Sequence, residues 1–98
     1  MGKAIIDETK LQQTCKKYDV TFLGVFGSYA RDHFTRKSDL DLLVRFSKRK
    51  SLLDLVGIEM ELSEELGIKV DLLTEKSISP YLRDKIMKEL KVVYDEKR

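Results

Sequence analysis

The sequence predicts an α+β fold, in which helices pack against one mixed β-sheet. Apolar runs rich in β-branched and aromatic residues alternate with stretches of helical periodicity, and the connections between them are short. No repeat or low-complexity segment interrupts this order. With 98 residues, of which 42% are hydrophobic and 37% charged, the chain is predicted to form one domain over 1–98 with a modest core.

The first half of the chain alternates twice between helix and strand. Residues 7–18 have apolar side chains at helical spacing and lysines on the other face, which predicts a helix with Cys15 in the core. Val20–Phe26 has the composition of a buried strand. Gly27 and Ser28 end this strand and predict the start of a second helix, and a second strand is predicted over 39–44.

The second half begins with a long helix. Ser51 and Asp54 resemble a capping box that opens it, and Gly67 is expected to close it. The helix is predicted to bury an apolar stripe made of Leu52, Leu55, Ile58, Leu62 and Leu66. Its acidic face is predicted to be solvated, or to meet a basic partner, and comprises Glu59, Glu61, Glu64 and Glu65.

A third strand, a last helix and a short final strand complete the predicted fold. The third strand covers 70–73, and the final strand covers 92–94. Ser79 followed by Pro80 is typical of a helix start, with serine as the cap and proline in the first position. The buried stripe of this last helix is predicted to be Leu82, Ile86 and Leu90.

Gly27 and Ser28 also predict an anion site. The first amides of a helix have no partners within the helix, and the helix dipole is positive there. Glycine lets a phosphate approach the backbone, and serine adds a hydroxyl donor. Arg31 lies one helical turn after Ser28 and is the best candidate for a bidentate phosphate contact.

Asp39 and Asp41 predict a negatively charged, cation-binding site near this anion site. Along a strand they point to one face, about 6 to 7 Å apart at Cα, while the leucines between and after them point to the other face. Two such carboxylates repel each other unless they share a hard cation such as Mg²⁺. Asp71 is also flanked by apolar residues typical of a strand, so it is a candidate third carboxylate of the same site.

Each of these features has a plain structural alternative. A Gly-Ser step is commonly only a helix cap, and an Asp-x-Asp at a strand start is often an exposed edge or turn. Each feature alone is weak evidence for function. Their occurrence together, in this order and with a later strand aspartate, favours a metal-nucleotide site.

The residues Gly27-Ser28-Tyr29-Ala30-Arg31, followed by Ser38-Asp39-Leu40-Asp41, resemble a known signature. It is the G-S-x-A-R-G … S-D-x-D-L pattern of the minimal nucleotidyltransferases, the small branch of the DNA polymerase β superfamily, and the resemblance covers roughly residues 7–93. It implies a polymerase β palm-like fold. It also implies that Gly27 and Ser28 bind the nucleotide triphosphate, and that Asp39, Asp41 and Asp71 hold two Mg²⁺ ions.

One residue departs from this signature. The family's usual glycine after Ala-Arg is Asp32 in this chain. Aspartate tolerates a left-handed backbone better than most residues do, so the turn can survive the change. Because an added negative charge beside a triphosphate disfavours binding, we expect Asp32→Gly to tighten binding of MgATP.

The resemblance implies a Mg²⁺-dependent transfer of AMP from ATP to a hydroxyl acceptor. Many minimal nucleotidyltransferases are antitoxins of HEPN/MNT toxin–antitoxin pairs and adenylylate a tyrosine of a HEPN-domain ribonuclease toxin, which is then the expected partner. Two alternatives stay open: a binding module that neutralises its partner by contact, and the nucleotide-binding subunit of a small-molecule nucleotidyltransferase. For a partner protein, the expected rim contacts are the basic segments Arg36-Lys37 and Lys48-Arg49-Lys50.

Composition narrows the remaining classes. Residues 1–50 carry 11 Lys/Arg and 6 Asp/Glu, net +5, whereas residues 51–98 carry 8 and 11, net −3. This asymmetry suits a triphosphate site but is too mild for nucleic acid as a direct ligand. One cysteine cannot form an internal disulfide, and His33, the one histidine, has no partners spaced for zinc. Without a long apolar run or a signal-peptide pattern, we expect a cytoplasmic protein and no membrane partner.

Overall fold

The computed structural model describes residues 8–31, 35 and 38–97. The predicted α+β class is confirmed, because these residues form α-helices on both faces of a mixed sheet. Asp32, His33, Arg36 and Lys37, on which several predictions rest, lie outside the described residues. The elements are α1 (Glu8–Lys17), β1 (Val20–Phe26), β2 (Leu40–Phe46), α2 (Leu52–Leu66), β3 (Val70–Thr74), a 3₁₀ turn (Glu75–Ser77), α3 (Pro80–Glu89) and β4 (Lys91–Asp95).

The sheet has the strand order β3-β2-β1-β4. β1 is antiparallel to both β2 and β4, whereas β2 and β3 are parallel and are joined by α2 as the crossover helix. The end of β1 and the starts of β2 and β3 therefore meet at one edge of the sheet. Phe26, Asp41 and Asp71 lie side by side across these three strands.

Strand alternation gives the sheet two buried faces. One face carries Leu40, Leu42 and Val44 and packs against α1 and α2, with Cys15 among the buried residues. The other carries Phe22, Phe26 and Leu43 under Ile86 of α3. Asp41 alternates with Leu40 and Leu42, so it projects to the α3 side.

The predicted core role of Cys15 is confirmed, since 2% of the residue is exposed. Burial raises the pKa of its thiol to about 12, which keeps it neutral and unreactive. No helix in the described ranges is long and apolar enough to cross a membrane.

The helix termini agree with the sequence. Ser51 and Asp54 form the predicted capping box, with hydrogen bonds of 3.1 and 2.9 Å in the two directions. Gly67 ends α2 with a left-handed φ of 70°. Ser79 caps α3, with Pro80 as the first helical residue.

The predicted helix after Gly27 is wrong for the described residues, where 27–31 form a turn. One helical hydrogen bond forms there, from the Arg31 N–H to the Gly27 carbonyl at 3.2 Å. Tyr29 and Ala30 are both buried and anchor the turn in the core. Gly27 and Ser28 therefore begin one helical turn, as the sequence indicates, but this single turn does not continue into a helix.

The two predicted apolar stripes are only partly buried. Ile58, Leu62 and Ile86 lie in the core as expected, but Leu52 is 77% exposed and Leu82 is 51% exposed. Both exposed leucines lie in the first turn of their helix. The helices pack on the sheet through later turns, which periodicity alone does not specify.

The acidic face of α2 is solvated in part, since Glu64 and Glu65 are exposed as expected. Glu59 and Glu61 are instead half-buried and contact other elements of the chain. Glu59 accepts a hydrogen bond of 2.7 Å from the backbone N–H of Leu72, on the edge strand β3. Two other glutamates of α2 contact α1 or the residue after it. Glu61 accepts from Lys17 at 3.2 Å and from the Tyr18 hydroxyl, and Glu65 accepts from Thr14 at 3.1 Å.

Candidate active site

The turn after β1 lies directly against the carboxylate of Asp41. Gly27 has a φ of 77°, a left-handed conformation that favours glycine. A Cβ atom built on Gly27 would lie 2.2 Å from Oδ2 of Asp41. Only glycine fits at this position, because other residues rarely adopt this φ and because a side chain would clash with Asp41. The close packing brings the Gly-Ser turn and the strand carboxylates into one site.

The structure brings the three predicted aspartates together. Asp41 and Asp71 are register partners on the parallel strands β2 and β3. Asp39 precedes β2, and its carboxyl group is close enough to Asp71 to raise the pKa of that residue. Lys69 forms a long ion pair with Asp39, at 3.8 Å. All three aspartates are half-buried.

The environment of Asp41 and Asp71 disfavours their negative charges. Burial raises the pKa of Asp41, and the negative charges of Asp71 and Asp39 raise it further, while Arg31 partly offsets them. Burial likewise raises the pKa of Asp71, with Asp39 as the next cause. Both groups are therefore harder to ionise than a free aspartate, because they are partly buried and share a site with other negative charges.

This donor set fits Mg²⁺ by its chemistry. Carboxylate oxygens are hard ligands. Burial, and after it the neighbouring carboxylates, raise the pKa of Asp41 and of Asp71, and a cation would compensate the negative charge that these groups share. Among the described residues, no three acidic, histidine or cysteine side chains are already gathered tightly enough to form a ligand set by themselves.

The predicted phosphate ligands lie in the turn beside these acids. Ser28 is half-buried and Arg31 is exposed, while Tyr29 and Ala30 between them point into the core. Arg31 is not free, since its Nη1 donates to Oε2 of Glu89 at 3.0 Å.

Glu89, the last residue of α3, was not a candidate from the sequence. Its Oε1 accepts a 2.9 Å hydrogen bond from the N–H of Gly27, so one carboxylate holds both ends of the turn. The only sequence signal is weak. A glutamate at the C-terminus of a helix opposes the helix dipole, which suggests a role outside the helix.

The basic connector Lys48-Arg49-Lys50 does not border this site, which corrects the predicted rim contact. It follows the far end of β2, about 20 Å from Asp41 by the strand rise. There the three residues line a groove of about 540 Å³ with Arg45 and Glu75. Lys50 is also tied to Asp19 by an ion pair of 3.3 Å.

Comparison with known protein families identifies the family of this chain. Residues 8–93 match the model of the nucleotidyltransferase domain family. The chain belongs to this family. The predicted membership and the predicted enzyme class are thereby confirmed, and the acids at the sheet edge lie within the matched region of this nucleotidyltransferase.

Among nucleotidyltransferases, this chain is similar to proteins named as protein adenylyltransferases. The nucleotidyltransferase is 51% identical over 73 residues to MJ0435 of Methanocaldococcus jannaschii, which is named as a protein adenylyltransferase, and the match covers 74% of this chain and 78% of the relative. It is 37% identical over 79 residues to the protein adenylyltransferase MntA of Thermococcus cleftensis, covering 81% of this chain and 78% of that protein.

Solved structures share the fold. One is a toxin–antitoxin complex crystallised with AMP-PNP, with a TM-score of 0.81 and 22% identity, covering 92% of this chain and 74% of the other. Another is an MNT antitoxin complex with a tri-AMPylated HEPN toxin from Shewanella oneidensis, with a TM-score of 0.71 and 20% identity, covering 92% and 71%. At these identities the likeness concerns the fold alone.

Proposed function

We propose that this nucleotidyltransferase transfers AMP from ATP to a hydroxyl group of a partner protein and acts as an antitoxin by this adenylylation. The observation that carries the proposal is the cluster of Asp39, Asp41 and Asp71 packed against the Gly27 turn. The names of the relatives support it, since MntA is a protein adenylyltransferase and shares 37% of its aligned residues with this chain.

The turn would bind the triphosphate. Ser28 supplies a hydroxyl donor, and the guanidinium of Arg31 keeps N–H groups free of Glu89, since only Nη1 contacts that carboxylate. The amides of Gly27 and Arg31 already donate to Glu89 and to the Gly27 carbonyl, so the serine hydroxyl and the guanidinium are the donors on which the proposal rests. These donors would hold the β- and γ-phosphates, so that the α-phosphate lies above the aspartates.

Asp39, Asp41 and Asp71 would hold two Mg²⁺ ions. Bound Mg²⁺ would lower the pKa of the acceptor hydroxyl and neutralise the phosphates. The carboxylates position this charge, because β2 and β3 fix Asp41 beside Asp71 and the Gly27 turn presses on Asp41. The acceptor oxygen then bonds to the α-phosphorus, the bond from that phosphorus to pyrophosphate breaks, and Asp71 takes the hydroxyl proton.

The acceptor would come from another chain. One sheet with its helices uses most of the described residues, and Asp39, Asp41 and Asp71 stay partly exposed at the end of that sheet. A partner would therefore present its own hydroxyl to the open edge of the sheet. A tyrosine of a HEPN-family toxin is the acceptor that the resemblance implies, and a fold relative is complexed with an AMPylated HEPN toxin.

The test is to incubate the purified chain with MgATP, with and without the product of the adjacent gene. Mass spectrometry of both proteins then locates any added AMP. We expect AMP on a tyrosine of the partner, only when Mg²⁺ and ATP are both present. Omission of Mg²⁺ and replacement of ATP by its α,β-methylene analogue AMPCPP, whose bridge between the α- and β-phosphorus cannot be cleaved, serve as controls.

Two other outcomes would replace the proposal. AMP on a small molecule, with the partner unmodified, would identify a small-molecule transferase subunit. A tight complex of the two proteins with no transfer would identify a module that neutralises its partner by contact.

A further inference from the structure

The carboxylate of Glu89 joins two groups of the nucleotide-binding turn. One oxygen accepts from the amide of Gly27 at 2.9 Å, and the other pairs with the guanidinium of Arg31 at 3.0 Å. Only 16% of the side chain is exposed, against 43% for Arg31. The contact therefore fixes the first and last residues of the turn to α3, which is distant in sequence.

Glu89 is itself held firmly by the sheet. The next residue, Leu90, fills the space above Gly24, where a Cβ atom would approach Leu90 to 2.6 Å. Lys91, the first residue of β4, then pairs with Val25 of β1. Ile86, one turn earlier on α3, is buried between the sheet and the helix. Both sides of Glu89 are therefore anchored, so its carboxylate is a rigid support.

This placement opposes two local electrostatic preferences. A negative charge at the C-terminus of a helix is unfavourable to the helix dipole, and Glu89 also adds to the negative charge around Asp41. The largest influence on the pKa of Glu89 is its partial burial, which raises it. The hydrogen bond from Gly27 and the ion pair with Arg31 outweigh burial and lower the pKa, so the group is charged.

We propose that Glu89 is the positioning residue of the triphosphate site. It fixes the Gly27 amide and one side of the Arg31 guanidinium, so that the other N–H groups of Arg31 and the hydroxyl of Ser28 face the phosphates. The inference rests on the proposed function, because it assigns the support of the same site. It does not require Glu89 to touch the nucleotide.

The test compares Glu89→Gln and Glu89→Ala with a matched control, Glu75→Gln. Glu75 also pairs with arginines, Arg45 and Arg83, and its side chain is 24% exposed, but it follows the far end of β3. We expect Glu89→Ala to raise the KM for ATP about tenfold and leave the KM for the partner protein unchanged. Glu89→Gln keeps an acceptor for Gly27 and should have a smaller effect, and Glu75→Gln should have none.

A double-mutant cycle separates positioning from general stability. If Glu89 acts through Arg31, Glu89→Ala should add little to the KM change that Arg31→Ala already causes. Fully additive effects, a wild-type KM in Glu89→Ala, or tighter ATP binding in Glu89→Gln would overturn the inference. The last result would mean that the carboxylate competes with the phosphates.

Amide exchange gives a readout that needs no nucleotide. Exchange at the Gly27 amide should accelerate about tenfold in Glu89→Ala, while exchange within β1 stays unchanged. Unchanged exchange at Gly27 would overturn the inference. A chain that shows the exchange effect but never transfers AMP would refute the proposed function and leave the support of the turn established.

Discussion

Two sets of acidic side chains in this protein differ in how their charge is satisfied. The helix set, Glu59, Glu61 and Glu65 on α2, accepts hydrogen bonds from a backbone amide, a lysine, a tyrosine and a threonine. The strand set, Asp39, Asp41 and Asp71, has one long ion pair within the described residues, and the nearby charges of Arg31 and Lys69 only partly offset the mutual repulsion of its carboxylates.

The pKa values follow this difference. The hydrogen bond from Tyr18, with that from Lys17, lowers the pKa of Glu61 against the effect of its burial. Burial and neighbouring aspartates raise the pKa values of Asp41 and Asp71. A carboxylate that accepts hydrogen bonds or pairs with a cation stabilises the fold. A group of carboxylates without enough such partners lowers stability and indicates a site where a ligand supplies positive charge.

The largest expected effect separates the two sets by activity. Asp41→Asn should lower AMP transfer at least about a hundredfold, because the charge that Mg²⁺ supplies is worth several kcal/mol. Its melting temperature without metal should equal or exceed that of the wild type, since a repulsive charge is removed. Transfer assays and thermal unfolding measure the two effects. Transfer at the wild-type rate would refute the role assigned to Asp41.

The second effect separates two left-handed glycines. Gly27→Ala would place a methyl group 2.2 Å from Oδ2 of Asp41, whereas a methyl group at Gly67 meets nothing within 4 Å. Gly67→Ala should therefore cost only about 1 kcal/mol, from backbone strain, and keep full activity. Gly27→Ala should cost more and lower transfer at least about tenfold, as Asp41 is displaced.

Denaturant unfolding and transfer assays on both glycine variants check this prediction. Equal stabilities and equal activities would mean that the turn does not press on Asp41.

The smallest effect concerns stability and pH. The pKa of Glu61 is lowered from its ordinary value of 4.5, so its contribution to stability is present above that pH and is lost as the pH falls through the lower, folded-state pKa. Glu61→Gln should therefore lower the melting temperature by a few degrees near neutral pH, with transfer unchanged. The difference from the wild type should shrink below about pH 4. A difference that stays constant with pH would contradict the assignment.

Local signals in the sequence were sufficient for the strands and for the termini of α2 and α3, but not for the turn after Gly27. Val20–Phe26 forms β1 as predicted, and the caps at Ser51, Gly67 and Ser79 form because each depends only on neighbouring residues. The proximity of Asp41 and Asp71 was also foreseeable. Both open strands of similar composition, and parallel pairing then places them side by side.

Contacts between distant elements were not predictable in this way. Part of the acidic face of α2 is engaged because α1 and β3 supply donors, which no periodicity specifies. The connector after Phe46 lies far from the site because β2 runs away from Asp41, a matter of strand direction. Glu89 reaches the turn only through the packing of α3 and β4 on β1.

The most direct measurement is the thermal shift that Mg²⁺ and AMP-PNP together give in three proteins: the wild type, Asp71→Asn and Glu61→Gln. A ligand at about a hundred times its Kd stabilises the folded state by about 2.7 kcal/mol, which raises the melting temperature by several degrees. If the strand acids bind the metal-nucleotide, the rise should occur in the wild type and in Glu61→Gln and should be lost in Asp71→Asn. An equal rise in Asp71→Asn, or none in the wild type at millimolar ligand, would contradict the account.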